Sequence, residues 1–571
     1  MKLQAGPLSI EFVDGAVGAV RYGDVELLRG IAFLVRSPGW ATYPPTLSDI
    51  EITQDETVSA GWRATVRDGM TALTWHAHLV LNATTLDFVC DARSDTGFCT
   101  ARTGFVVLHP AAASGLPAEV EHTDGTVQRT AFPDLIEPWQ PMMDIRAIIH
   151  APAAGLQVTC RMEGDAFEME DQRNWTDASY KTYVRPLARP WPYDIAAGQP
   201  FRQSVHVSVQ GQSPAAVGQG TIRLEYGPSG GRMPPLGLAS TPQEAREALA
   251  HVEALRALGA GVLVHRHDIR SDRSLDEAAQ LAGALGVPVA LQLVVVELDD
   301  VAAELAQAAA EIRLTGLPLA SVAITPAADL KSTPPGQPWP PAPDARALLR
   351  AARHAFPGVA LGGGMLSYFT ELNRKRPPLD LVDFVTFSTG AIVHAADDLS
   401  VMQTLETLPV IMRSARAIAN DRPLHVGPTT IAMRENPYGA ATVANPDRAR
   451  LAMTHDDPRQ AQAFGAAWTA GALIRLVEGG ASQVTVASVA GHTGLLGGAG
   501  RYPAYAVVQA AGQARGRQFR RLSSSDPSRV LGVDLGGQVL LANLTPKPVA
   551  VALPFGRQEL PPYGTALLAI G

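Results

Sequence analysis

The chain has 571 residues, of which 46% are apolar and 18% charged, with a formal net charge of -8. That length exceeds what one hydrophobic core organises, so two or three domains are expected, and the mildly acidic balance excludes the basic face that nucleic acid binding needs. No run approaches the roughly 20 consecutive apolar residues of a membrane span. Met1 is not followed by the basic and apolar segments of a secretory signal, so a cytoplasmic protein with no membrane partner is expected. Cys90, Cys99 and Cys160 contain no CxxC pair, which indicates neither a disulfide scaffold nor a structural zinc site.

Residues 1–226 read as β. Runs such as LSIEFVDG, ALTWHAHLVLNATTLDFVCDA, GLQVTCRMEG and FRQSVHVSVQG alternate or are β-branched, with Gly, Asp and Asn turns between them, and they predict an N-terminal antiparallel β-sandwich of two sheets. After GPSGGRMPPLG the period changes. Eight apolar runs (LGLAS, GVLVHRHD, PVALQLVVV, SVAITPA, VALGGGML, DFVTFST, PLHVGPT and QVTVASVAG) alternate with Ala- and Leu-rich amphipathic segments that open on Thr, Ser or Asp and close near Gly. Residues 227–520 are therefore expected to form a (β/α)8 TIM-like barrel, with a doubly wound sheet as the alternative. Residues 521–571 return to β (SRVLGVDLGGQVLLANLT, KPVAVALPFG, GTALLAIG). They are too short to stand alone, so this C-terminal β region should pack on the other domains of a multidomain protein.

Barrel chemistry collects in the loops after the strands. That rule selects His265, Arg266, His267 and Asp268 after the second strand, and Asp329 and Lys331 after the fourth. It selects Tyr368, Glu371, Asn373 and Arg374 after the fifth, His394, Asp397 and Asp398 after the sixth, Arg434, Glu435 and Asn436 after the seventh, and His492 after the eighth. His265 and His267 stand at i and i+2 of an extended run, so both imidazoles point one way, as a shared metal ion would require. No further His on the fifth strand and no Asp ending the eighth complete a known metal set, so a site without metal or other cofactor is expected. Glu371, close to Tyr368, Asn373 and Arg374, is a general base candidate, against the simpler reading of an i,i+3 ion pair with Arg374. His394 with Asp397 and Asp398 is an acid–base candidate, against the simpler reading of a helix N-cap. There is no GxSxG elbow for a serine nucleophile.

The densest polar stretch, EMEDQRNWTDASYKTYVRPLARPWPYD, brings acids Glu168, Glu170, Asp171 and Asp177 together with Arg173, Lys181, Trp175, Tyr180 and Tyr183. One reading is a salt-bridged lip of the sandwich. The other is a segment that supplies carboxylates, donors and ring faces to a ligand, with Glu168 and Glu170 sharing one strand face.

The run MEGDAFEMEDQRNWTDASYKTYVRPLARPWPY, with GFVVLHP, VEHTDG, FPDLIEPWQP, SYFTELNRKRPP, VHAADD and RENPYG, resembles the D-apionate lactonases of bacterial apiose catabolism, from about residue 5 to the C-terminus. The resemblance implies hydrolysis of a branched sugar lactone, D-apionolactone, to D-apionate, with a small-molecule sugar lactone as partner. Lactone opening needs a base for water, donors for the oxyanion and an acid for the leaving ring oxygen. Our own reading of the residues assigns Glu371, Glu170 and His394 to proton transfer. Asp171, Arg173, Asn174, Lys181 and Asn373 are assigned to substrate hydroxyls and the oxyanion, and Trp175 and Tyr368 to the apolar faces of the sugar. The competing readings are a TIM-barrel glycoside hydrolase with paired carboxylates and a non-catalytic carbohydrate-binding protein. A homo-oligomer is left open.

Overall fold

Alternation dominates the first two hundred residues. In Val58–Asp68 the side chains of Val58, Ala60, Trp62, Ala64 and Val66 are buried, and those between them are more open. Hairpins close on two-residue turns; at Asp14-Gly15 both residues have positive φ (51° and 76°), the type I′ geometry that matches strand twist. The computed structural model describes residues 1–212, 220–270, 274–497 and 500–570. The chain divides into two compact units, Met1–Arg173 with Ala178–Gln219, and Asn174–Asp177 with Gly220–Gly571.

The first unit holds sixteen strands in one hydrogen-bonded sheet, not the two separate sheets expected. Its path starts with the meander Lys2–Ala5, Leu8–Val13, Ala16–Tyr22 and Val25–Arg36. It continues through Arg102–Pro110, Ser179–Val184, Phe167–Glu170 and Met142–Ala153, and ends with Val58–Asp68 and Thr46–Gln54. The sheet folds over so that strands far apart on this path share a core. Phe12 meets Trp62 (ring centroids 5.0 Å), Phe33 meets Trp75 (5.1 Å) and Phe88 meets Phe105 (4.9 Å). Alternation specifies a two-faced sheet, and packing face to face is what a sandwich requires. Whether the backbone ladder breaks between the two faces is not written in that pattern.

Just beyond the strand Phe167–Glu170, Asp171 and Arg173 form a fully buried bidentate pair (Nε–Oδ1 2.8 Å, Nη2–Oδ2 2.7 Å). Asp171 Oδ2 also accepts from Glu137 N at 3.0 Å. Arg173 donates to Pro133 O at 2.8 Å and to Ser114 Oγ at 3.1 Å, and lies 4.2 Å from the Tyr180 ring centroid. With its charges neutralised and its hydrogen bonds filled, the pair ties the segment after the strand to the 133–137 loop.

In the second unit the eight apolar runs form eight parallel strands that close into a barrel: Leu236–Ser240, Val262–Asp268, Val289–Val295, Leu319–Pro326, Ala360–Tyr368, Phe384–Gly390, Leu424–Thr430 and Gln483–Ser488. The caps are those the sequence signals: Thr241 with Glu244 forms a capping box, and Asp300, Asp344 and Asp397 each accept a first-turn N–H. The C-terminal strands join a seven-stranded sheet whose partner from earlier in the chain is Ile222–Arg232, a strand that crosses position 226. This sheet packs on the barrel helix Ala463–Glu478, where Phe464 meets Tyr563 (4.8 Å). Among the described residues no helix is long and apolar enough to cross a membrane.

Two expectations follow. Asp171→Ala leaves Arg173 buried and unpaired, so the unfolding free energy should drop by roughly 3–5 kcal/mol in denaturant titrations; a loss below about 1 kcal/mol would contradict the strut. Second, burial pushes His109 and His265 down to about 3, and His150 and His425 down to about 4. These rings stay neutral in the folded chain while the unfolded chain takes up protons below about 6.5, so stability should fall as pH drops from about 6.5 towards 4. His150→Leu should flatten that slope in thermal melts against pH, and an unchanged slope would refute the assignment.

Candidate active site

The barrel interior identifies which side chains point inward. Val264, Gln292, Ser321, Thr386, His425 and Gln483 line one cavity inside the barrel. Alternation along Val262–Asp268 then turns Arg266 and Asp268 inward with Val264, and His265 and His267 towards the helix layer. The two imidazoles share a side, but not the side of the barrel interior. His265 Nδ1 shares a hydrogen bond with Ser240 Oγ at 2.9 Å. Among the described residues, no three His, Cys, Asp or Glu side chains come together as a metal-holding group.

At the strand ends Arg266 meets Glu435 (Nη2–Oε1 3.1 Å), and Lys331 Nζ is 4.0 Å from the other oxygen of that carboxylate. Lys331 also donates to the main-chain oxygens of Asn436 and Gly439, both at 2.8 Å, and burial holds its ammonium below the usual lysine range. The Tyr368 hydroxyl donates to Glu435 O, and burial raises the phenol. A cavity between the ends of the fifth, sixth and seventh strands is walled by Ser367, Tyr368, Ser388, Thr430, Arg434 and Glu435.

Four residues that leave the N-terminal sheet, Asn174–Asp177, belong to the barrel unit. The short helix Phe369–Arg374 anchors them: Thr370 Oγ1 donates to Asn174 O at 2.8 Å, and Asn373 Nδ2 donates to Asn174 Oδ1 at 3.0 Å. Trp175 lies between Tyr368 (5.9 Å), His394 (6.0 Å) and Tyr438 (5.5 Å). Thr176 takes φ 76°, a conformation that costs a β-branched residue about 1–3 kcal/mol and persists where surrounding contacts over-determine it. Asp177 then accepts from His394 Nδ1 at 2.7 Å, and its main-chain oxygen accepts from Thr407 Oγ1 at 3.0 Å. Both members of the dyad keep about a fifth of their side-chain surface open (19% and 18%).

The expected site residues are thus distributed as follows. His394, Trp175, Tyr368, Asn174 and Asn373 come together at the barrel mouth. The partner of His394 is Asp177; Asp397 caps the helix Asp398–Ala419 and Asp398 pairs with Arg459 and Arg450. Glu371 is on the other side of its short helix, ion-paired with Arg374 at 3.6 Å; Arg374 reaches Ser332 Oγ at 3.2 Å and Lys375 pairs with Asp329 at 2.6 Å. Burial raises the Glu371 carboxyl, opposed chiefly by Arg374. Glu170 and Lys181 are cross-strand neighbours in the N-terminal sheet and pair with each other at 2.8 Å. Asp171 and Arg173 are committed to the buried pair already described.

Two residues near the mouth, Asp177 and Glu244, were not candidates from sequence for a role there, and a third, Arg434, was one only as a member of the loop ring. Asp177 stands 217 residues before His394, and no spacing rule links them. Glu244 reads only as the third residue of a capping box, which it is (Oε2 accepts from Thr241 N at 2.8 Å), yet it is also half-buried after the first barrel strand. Burial raises its carboxyl, and Arg434 is the largest influence opposing that rise. Arg434 was one member of a ring of loop residues, and nothing local distinguishes it. The T-x-x-E signature before a helix was a signal for Glu244, but it points to helix initiation alone.

Residues 1–212 match the model of the D-apionate lactonase N-terminal domain, and residues 236–516 that of the D-apionate lactonase TIM barrel domain. A D-apionate lactonase of Brucella anthropi is 40% identical over 98% of this chain and 95% of its own length. Among solved structures, a GH30 endoxylanase from Clostridium papyrosolvens covers 62% of this chain and all of its own at 10% identity and TM-score 0.39. The GH36 alpha-galactosidase AgaA from Geobacillus stearothermophilus covers both chains fully at 10% identity and TM-score 0.30. Likeness at that level carries no argument about chemistry, whereas the two domain matches and the full-length relative do: the chain belongs to the D-apionate lactonase family.

Proposed function

We propose that this chain is a lactonase that opens a sugar lactone at the C-terminal mouth of its barrel, with D-apionolactone as substrate and D-apionate as product. The observation that carries the reading is the 2.7 Å bond between His394 Nδ1 and Asp177 Oδ2 on a partly open imidazole beside Trp175. A carboxylate accepts only, so Nδ1 carries the proton and Nε2 carries the lone pair. Nε2 takes a proton from water as the water oxygen bonds to the lactone carbonyl carbon and the carbonyl π pair moves onto oxygen. The tetrahedral adduct collapses by breaking the bond to the ring oxygen, and the imidazolium returns its proton to that oxygen. The product is a hydroxy acid, which releases its proton at neutral pH. Asp177 holds the ring orientation and stabilises the transient imidazolium, as an acid–base dyad requires. Trp175 and Tyr368, both buried, pack behind the imidazole and hold its surroundings in place.

In this reading Glu371 serves to hold Arg374 and the loop at Ser332, and Glu170, tied to Lys181, takes no part in proton transfer. Purified enzyme in a pH-stat should release acid from D-apionolactone and leave aryl glycosides intact; glycoside turnover without lactone opening would replace the reading with glycoside hydrolysis. His394→Ala should lower kcat by about 10²–10⁴-fold. Asp177→Asn can donate to Nδ1 and trap the wrong tautomer, so kcat should fall by up to ~10⁴-fold with the thermal midpoint nearly unchanged.

Glu371→Gln distinguishes the two carboxylate assignments. It should keep kcat within about tenfold of wild type, because a bystander carboxylate lacks the roughly 10²–10⁴-fold contribution of a general acid or base. A larger collapse in a folded variant would return Glu371 to the chemistry.

A further inference from the structure

The cavity between the fifth, sixth and seventh strand ends contains many hydroxyls, yet nearly all are committed. Tyr368 donates to Glu435 O, Ser388 Oγ to Pro428 O at 2.9 Å, Thr389 Oγ1 to Thr429 Oγ1 at 3.1 Å and Thr430 Oγ1 to Ala432 O at 2.8 Å. The Glu435 carboxylate faces Arg266. Among the described residues on this wall, two buried side-chain donors have no hydrogen-bond partner: Nη1 of Arg434 and Oγ of Ser367. A buried guanidinium N–H left unpaired costs more than a neutral donor, and of the six arginines with such a nitrogen among the described residues, Arg434 is the one on this cavity wall.

Glu244 is half-buried, and Arg434 is the largest influence keeping its raised carboxyl from rising further. Glu244 is itself fixed by the Thr241 capping box, by hydrogen bonds of 2.8 Å and 3.2 Å. An acid fixed at this helix start lies within electrostatic reach of the guanidinium. Tyr368 forms the connection to the dyad, since its ring flanks Trp175 and its side chain also walls this cavity.

We propose that Arg434 Nη1 binds the oxygen that gains charge in the reaction: the lactone carbonyl oxygen as the adduct forms, and the carboxylate of the hydroxy-acid product afterwards. The inference rests on the lactonase reading and adds the group that holds the developing anion. A preorganised donor aimed at such an oxygen contributes about 10²–10³-fold to kcat.

The test uses the full-length protein, D-apionolactone for kinetics, and for binding both D-apionate and its analogue with the carboxylate reduced to an alcohol. Arg434→Gln should lose about 10²–10³-fold in kcat and bind D-apionate at least ~10-fold more weakly, with little change in affinity for the alcohol. Added guanidinium should restore part of the activity of Arg434→Ala. His394→Ala should retain D-apionate binding while losing turnover. An active wild type matched by Arg434→Gln in kcat and in D-apionate affinity overturns the inference and leaves the lactonase reading standing. A wild type that opens no lactone, yet loses D-apionate affinity on Arg434→Gln, overturns the reading and keeps the Arg434 site.

Discussion

The bond from His394 to Asp177 depends on a chain crossing. Arg173 and Ala178 belong to the β unit, and the four residues between them belong to the barrel unit. That excursion is held at both ends. Asp171 and Arg173 lock the chain on its way out by a buried bidentate pair, and Thr370 and Asn373 hold Asn174 by two hydrogen bonds on its arrival. The backbone of Thr176 takes a conformation it would not choose alone, and Trp175 fills the space between three aromatic rings. Only with these four residues fixed does a carboxylate stand 2.7 Å from the imidazole.

The distribution of charge in and around the mouth follows the same logic of commitment. Several buried ions in this protein are paired: Asp171 with Arg173, Asp457 with Arg459, Arg266 with Glu435, and Glu371 with Arg374 at 3.6 Å, a separation that leaves Glu371 Oε1 without a hydrogen bond. Desolvation makes an unpaired ion costly, so ion pairs by themselves say little about chemistry. Two groups at the mouth stand apart from these pairs. His394 is paired through one nitrogen and open at the other, and Arg434 has a buried N–H without an acceptor.

The dense segment at residues 168–194 divides along this line. Its acids do different work within a few residues of one another. Glu168 accepts from Tyr183 at 2.6 Å and Glu170 pairs with Lys181, both within the sheet; Asp171 is a strut, and Asp177 is the acid that meets a histidine of the barrel. Composition marked the segment as unusual but could not sort its members, because sorting depends on where the strand Phe167–Glu170 ends and the excursion begins.

Much was legible in one dimension. A switch of hydrophobic period after residue 226 separated the β region from the barrel region, and each of the eight apolar runs forms a barrel strand, because burial on both faces favours short runs without the polar alternation of a half-exposed strand. The caps at Thr241, Asp300, Asp344 and Asp397 were equally local, since a cap needs only its own first turn. His394 was visible as a loop residue after the sixth strand for the same reason. Its partner was not, because a pairing across 217 residues has no period and no spacing. Nor could alternation alone decide that His265 and His267 face the helices, that one sheet folds over where two were expected, or that Glu371 turns from the dyad towards Ser332. Sequence by itself determined periods, turns and caps, which are set by neighbours along the chain. Tertiary structure alone decided which buried groups find partners and which are left open, because that depends on side chains brought together from distant segments.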